Sequence, residues 1–125
     1  MHDLNLNREI DILGYLLEQV EVVEEYISGQ DEDLFLRDKK TKDAVLLRLM
    51  MIGEYGPKID ITIQQRFSEI DWSAIKKARN FYAHAYRGVD WVLVWNVVET
   101  ELPKLKKQIE HIIAILEKEN NGKTN

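Results

Sequence analysis

The chain has 125 residues, with 17 basic and 22 acidic side chains and a net charge of −5. That is one domain's length, with 45% hydrophobic residues to build a core, and it has no cysteine, which excludes a disulfide framework, a thiolate zinc site and a cysteine nucleophile. The acidic balance excludes coating of nucleic acid through overall charge, though not a local basic site. No apolar run is long enough to cross a bilayer, and the polar start Met1-His2-Asp3 is unlike a secretory signal, so a cytoplasmic protein with no membrane partner is expected.

Helical periodicity dominates from the start. Ile10, Leu13, Leu17, Val20 and Ile27 recur at steps of three, four or their multiples, with Arg8, Glu9, Glu18, Glu21 and Glu25 polar between them. Gly29 is expected to end this helix as a left-handed cap. Asp31 then caps a short helix carrying Leu34 and Phe35, and Asp31-Glu32-Asp33 reads as that helix start rather than a calcium loop. A second long helix is expected from about Asp38 to Tyr55, with Ala44, Val45, Leu47, Leu49, Ile52 and Tyr55. It starts with Arg37, Lys39, Lys40 and Lys42, against the helix dipole, so these charges either serve another purpose or are simply solvated. Gly53 lets a neighbouring helix approach, and Gly56-Pro57 breaks or bends the helix.

The alternating Ile59, Ile61 and Ile63 have no partner strand, so residues 58–70 read as a connector. Asp71 caps a third long helix that runs from Trp72-Ser73-Ala74 through Ile75, Ala78 and Phe81 towards His84. After Gly88, Asp90 caps a last helix with Trp91, Val94, Val98, Leu102, Leu105, Ile109, Ile112 and Leu116, which Pro103 is expected to kink. The expected fold is all-α: an antiparallel four-helix bundle with an additional short helix, one domain over residues 1–118 and a disordered tail over 119–125.

One segment departs from the acidic average. Residues 75–87 hold Lys76, Lys77, Arg79, His84 and Arg87, with Phe81, Tyr82 and Tyr86, and no acidic residue. Cations interleaved with aromatics suit a phosphodiester and a nucleobase, while the same composition also reads as a solvated helix face with a few packed aromatics. Asn80 and His84 are four apart and share a helix face, so Asn80 is placed to orient the imidazole. Arg79 and His84 are five apart and converge only if the helix is ending there. Histidine exchanges a proton near neutral pH and arginine grips phosphate oxygens, the two tasks of metal-free RNA transesterification. One histidine cannot serve as both acid and base, and His2 and His111 are remote in sequence, so a symmetric homodimer pairing two copies of the segment is the economical answer. No metal or cofactor is expected: His-x-Glu and His-x-x-x-His patterns are absent, and the adjacent Glu110 and His111 do not share a helix face. Ser73 belongs to a first helical turn, and Trp91 and Trp95 read as core anchors.

The run Arg79-Asn80-Phe81-Tyr82-Ala83-His84-Ala85-Tyr86 matches R-x4-H-x-Y. With Asp43-Ala44-Val45, Ile52-Gly53-Glu54, Trp72, Ile75, Val89-Asp90, Trp95 and Leu102-Pro103, it resembles the HEPN ribonuclease toxins of the HepT type, over almost the whole chain. The resemblance implies an α-helical bundle that dimerises with the motifs at a shared cleft. It implies Arg79 and His84 as the RNA-cleaving pair and Asn80 as the supporting polar residue; RNA contacts from Lys76, Lys77 and Arg87 are expected from the charge of the segment alone. It also implies that Tyr86 receives AMP from an MntA-type nucleotidyltransferase antitoxin that uses ATP, as in type VII toxin–antitoxin systems. Ala85 departs from the family's common glycine, and Tyr55 from a position that is often small. The alternative reading is a non-catalytic helical module that docks such a transferase and presents Tyr86. Glu54 reads either as a partner for Arg79 or as an ordinary polar helix residue.

Overall fold

The computed structural model describes residues 4–80 and 88–123, and every regular element within them is helical. Helix α1 (Leu6–Tyr26) starts where the Asn5 side chain accepts the Arg8 backbone N–H at 3.1 Å. Its buried stripe holds Leu6, Leu13, Leu16, Val20 and Val23, with Glu9 and Gln19. This stripe is rotated from the expected one: Leu16 takes the inner position, while Ile10 and Leu17 are only half-buried. Glu9, expected on the polar face, is 1% exposed. A buried carboxylate is tolerated where hydrogen bonds replace water. Glu9 accepts the Asp60 backbone N–H at 2.5 Å and pairs with Arg8, while the Gln19 carbonyl oxygen accepts from Arg48 at 3.0 Å. Polar groups thus rivet α1 to the connector on one side and to the second long helix on the other.

Gly29, at φ 79°, turns the chain in the left-handed region, three residues beyond the end of α1. Helix α2 (Glu32–Arg37) follows its Asp31 cap, and Phe35 is fully buried. Helix α3 (Lys39–Tyr55) is capped by Asp38, which accepts the Thr41 hydroxyl at 2.7 Å and the Thr41 backbone N–H at 3.1 Å. The Thr41 hydroxyl, then that backbone N–H and the Gln30 amide, hold the Asp38 carboxyl below its ordinary range. A 3₁₀ turn (Gly56–Lys58) carries Pro57 where α3 ends.

The connector is not irregular. It contains helix α4 (Ile61–Arg66), capped by Asp60. The alternating isoleucines conceal an i, i+4 pair: Ile59 and Ile63 are buried, while Ile61 is 59% exposed. The third expected long helix also needs correction. Helix α5 (Trp72–Lys77) has six residues, and the chain turns at Ala78–Arg79 before Asn80 is helical again.

Helix α6 (Trp91–Asn96), capped by Asp90, leads through a π turn (Val97–Glu101) into α7 (Leu102–Lys123). The wide turn sits directly before Pro103, which has no N–H to give the ladder and whose ring would crowd the carbonyl four residues back. Helix α7 runs past residue 119, where a disordered tail was expected. Arg66 binds Glu119 at 2.7 and 3.0 Å, and Asn120 donates to Asn7 at 2.7 Å.

Helix α1 packs on both α3 and α7. Pairing of Tyr15 with Tyr55 and of Gln19 with Arg48 makes α1 antiparallel to α3; pairing of Asn7 with Asn120 and of Glu24 with Lys106 makes it antiparallel to α7. At the far end Phe35 meets the Trp91 and Trp95 rings at centroid distances of 6.4 and 5.2 Å, so both tryptophans anchor the core. Among the described residues no helix is long and apolar enough to cross a membrane.

Candidate functional site

The site is assembled where α5 meets the end of α3. Asp71 accepts the Ala74 backbone N–H at 3.0 Å and starts α5, and the Trp72 indole N–H donates to the Phe67 carbonyl at 3.1 Å. Ile75 is the buried anchor of this short helix. The Ala78 N–H then reaches the Ile75 carbonyl at 3.1 Å, a tight closing turn that presents the next residue, Arg79.

Two glycines, one turn apart, make this possible. A Cβ on Gly53 would overlap the Arg79 backbone nitrogen, and would lie 3.0 Å from Arg79 Cβ and 3.1 Å from the Ala78 carbonyl carbon. A Cβ on Gly56 would overlap an Ile75 methyl group. The close approach expected at Gly53 is therefore made by the backbone of the arginine itself. Gly56 was legible only as a helix breaker; its spacing of three from Gly53 was the available signal for a second contact on the same face.

One residue after Gly53, Glu54 Oε2 stands 3.7 Å from Arg79 Nη1, with both side chains about half exposed. This separation is an ion pair, not a hydrogen bond. The guanidinium donors thus stay open to a ligand while their position is biased by charge. Lys76, Lys77 and Asn80 are exposed on the same short stretch. Lys77 and Ala78 also edge an apolar groove of about 350 Å³ between α3, α5 and α7, walled by Leu49, Ile52, Ile75 and Leu105.

Of the residues expected in the site, Lys76, Lys77, Arg79 and Asn80 are all exposed, on α5 and the turn that follows it. His84, Tyr86 and Arg87 lie outside the described residues, as do Phe81, Tyr82 and Ala85. His111 is exposed on α7, and Ser73 lies in the first turn of α5. Among the described residues no group of three His, Cys, Asp or Glu is placed to hold a metal.

The sequence model described as "Ribonuclease HepT-like" matches residues 16–112, which include α3, the α5 turn and the R-x4-H-x-Y run. The chain belongs to the HepT-like ribonuclease family. Membership carries the class of activity, cleavage of RNA, and agrees with the all-α HEPN-like fold. Among relatives of this HepT-like chain is a Methanocaldococcus jannaschii protein named "Gamma-glutamylcyclotransferase and putative RNase", 35% identical over 90% of the chain. The chain spans 51% of that protein's length. A Thermococcus cleftensis protein named "Probable ribonuclease HepT" is 34% identical over 82% of this HepT-like chain and 93% of its own length. No solved structure matches the chain.

Proposed function

We propose that this HepT-like chain is a metal-independent endoribonuclease, the toxin of a type VII toxin–antitoxin system, acting as a homodimer. The observation that carries the reading is the placement of Arg79: a half-exposed guanidinium on a turn whose backbone rests on Gly53, beside Lys76 and Lys77. An arginine fixed at its backbone and open at its head is suited to hold the non-bridging oxygens of a phosphodiester. In the proposed reaction the RNA 2′-oxygen attacks phosphorus and the 5′-oxygen leaves, giving a 2′,3′-cyclic phosphate and a 5′-hydroxyl. His84 accepts the 2′-hydroxyl proton or delivers one to the leaving oxygen, and the His84 of a second copy performs the other transfer. Asn80 orients the imidazole, while Lys76, Lys77 and Arg87 bind flanking phosphates.

The proposed control is AMP transfer to Tyr86 by an MntA-type nucleotidyltransferase. The tyrosine oxygen attacks the α-phosphorus of ATP and pyrophosphate leaves. The resulting bulky anion, seven residues from Arg79, competes with RNA for the cationic surface. The test is cleavage of RNA in EDTA by wild type, Arg79→Ala and His84→Ala. Cyclic-phosphate ends from the wild type, and loss of cleavage by at least a hundredfold in both variants, are expected. Intact RNA with wild type, or variants as active and as toxic as wild type, rejects the enzyme reading.

A further inference from the structure

The cations that open α3 are not used by the site just described. Arg37, Lys39 and Lys40 edge an open hollow of about 690 Å³ between the end of α1 and the start of α3. All three are exposed. None pairs with a carboxylate among the described residues; Arg37 Nε donates to the Asp33 backbone carbonyl at 3.2 Å. Asp38, the one carboxylate lining the hollow, is engaged by Thr41 and by Gln30. The hollow is therefore lined by three open cations and one occupied anion, in a chain whose net charge is −5.

Position gives this cluster a purpose. Helix N-termini disfavour cations, so local stability does not account for Lys39 and Lys40 at the start of α3, while Arg37, the last residue of α2, adds a third positive charge beside them. Lys40 and Glu54 are separated by fourteen residues of one uninterrupted helix. That is nearly four whole turns, so both stand on nearly the same ridge, about 21 Å apart. Leu47, midway between them, is 49% exposed on that ridge. The ridge thus has Arg79 against Glu54 at one end and the cationic hollow at the other. A stacked nucleic-acid strand advances 3.4 Å per nucleotide, so about six nucleotides join the two ends.

We propose that this hollow is a second anchor for the RNA backbone, gripping phosphates about six nucleotides from the scissile linkage and favouring substrates long enough to reach both ends of α3. The proposal rests on the ribonuclease reading given above. It asks for phosphates rather than bases, because lysine and arginine at an open surface grip the backbone.

The test uses the full chain with Arg37→Gln, Lys39→Gln and Lys40→Gln combined. None of these residues belongs to the cleavage site; removing Lys39 and Lys40 relieves the N-terminus of α3, and losing Arg37 from the exposed last turn of α2 costs little, so the variant should melt within a few degrees of wild type. Steady-state cleavage is measured on a 4-nucleotide and a 20-nucleotide RNA. The expected result is a KM about tenfold higher for the long RNA, with kcat and short-RNA kinetics unchanged. Fluorescence anisotropy of a labelled 20-mer against salt should show the slope of log affinity reduced by about two, as three lost single-strand phosphate contacts require. Equal long-RNA KM and equal salt slopes in variant and wild type overturn the proposal. So does a variant that keeps its RNA affinity and loses only a protein partner, which makes the hollow a protein-docking surface. If neither protein cleaves RNA but the anisotropy slopes differ as stated, the nuclease reading has failed and the anchor stands.

Discussion

Gly53→Ala tests how the arginine is presented. The added methyl meets backbone on the facing segment: the Arg79 nitrogen and, at 3.1 Å, the Ala78 carbonyl carbon. No side-chain rotamer relieves such an overlap, so α3 and the Ala78–Arg79 turn must separate. Overpacking of this kind costs roughly 1–3 kcal/mol. Replacing glycine by alanine within a helix returns about 1 kcal/mol. The net loss is therefore about 0–2 kcal/mol, or a fall in melting temperature of up to about 8 °C. Activity should suffer far more, because a shift of about 1 Å in a group that holds the reacting phosphate costs on the order of 100-fold in rate. The assay pairs thermal denaturation with RNA cleavage below the melting range. Gly14→Ala is the control: beyond the helix's own backbone no atom lies within 4 Å of a Cβ there, so it should be neutral or stabilising by up to about 1 kcal/mol, with full activity. If Gly53→Ala cleaves RNA within a factor of two of wild type, the backbone contact does not set the arginine's position and the reasoning fails.

Glu54→Gln should leave stability within about 0.5 kcal/mol, since a half-exposed pair at 3.7 Å is weak. It should lower KM for RNA about two- to fivefold at low salt by removing a competing anion, and the difference should shrink at 0.5 M salt; a raised KM argues against competition. Removing the buried Glu9 carboxylate in Glu9→Ala strips the half-buried Asp60 N–H of its acceptor and should cost roughly 2–4 kcal/mol in urea denaturation, with Glu9→Gln intermediate. The Asp38 carboxyl is held below its ordinary 3.8, so its contribution is present above that value and is lost as pH falls through the depressed folded one. The melting-temperature difference between wild type and Asp38→Asn should accordingly be constant above about pH 5 and close only below about pH 4.

The features legible in the sequence are those closed within a turn or two of chain. The caps at Asp31, Asp71 and Asp90 each bind a backbone N–H three residues on, so the residue type and the following apolar pattern sufficed. Gly53 was legible as a small residue in a helix, though its partner was not, because Arg79 lies 26 positions away. Glu9 and Gln19 were not, since their burial depends on Asp60 and Arg48, 51 and 29 residues distant. The short helix over Ile61–Arg66 was hidden because its isoleucines satisfy two periods at once, and only the core decides which faces inward. In the candidate site, charge and motif single out Arg79, Asn80, Lys76 and Lys77, and the structure places all four exposed on one short stretch. The early end of α5 was not visible, because the alanine-rich run favours helix and the turn is imposed by the Gly53 and Gly56 contacts.

The wide turn before Pro103 behaves as a phase corrector. Val94, Val98 and Leu102 are all buried although they step by four, a spacing that drifts about 40° per step around a regular α-helix. Loosening the backbone over Val97–Glu101 brings these residues back onto one seam with Ile109 and Ile112. Ordinary winding forced on the same number of residues would swing α6 about 100° around its own axis and carry Trp91 and Trp95 away from Phe35, whereas deleting one residue there would restore ordinary winding and leave α6 in place. The azimuth of the helix that receives the chain after the motif is thus kept by a wide turn that absorbs one surplus amino acid.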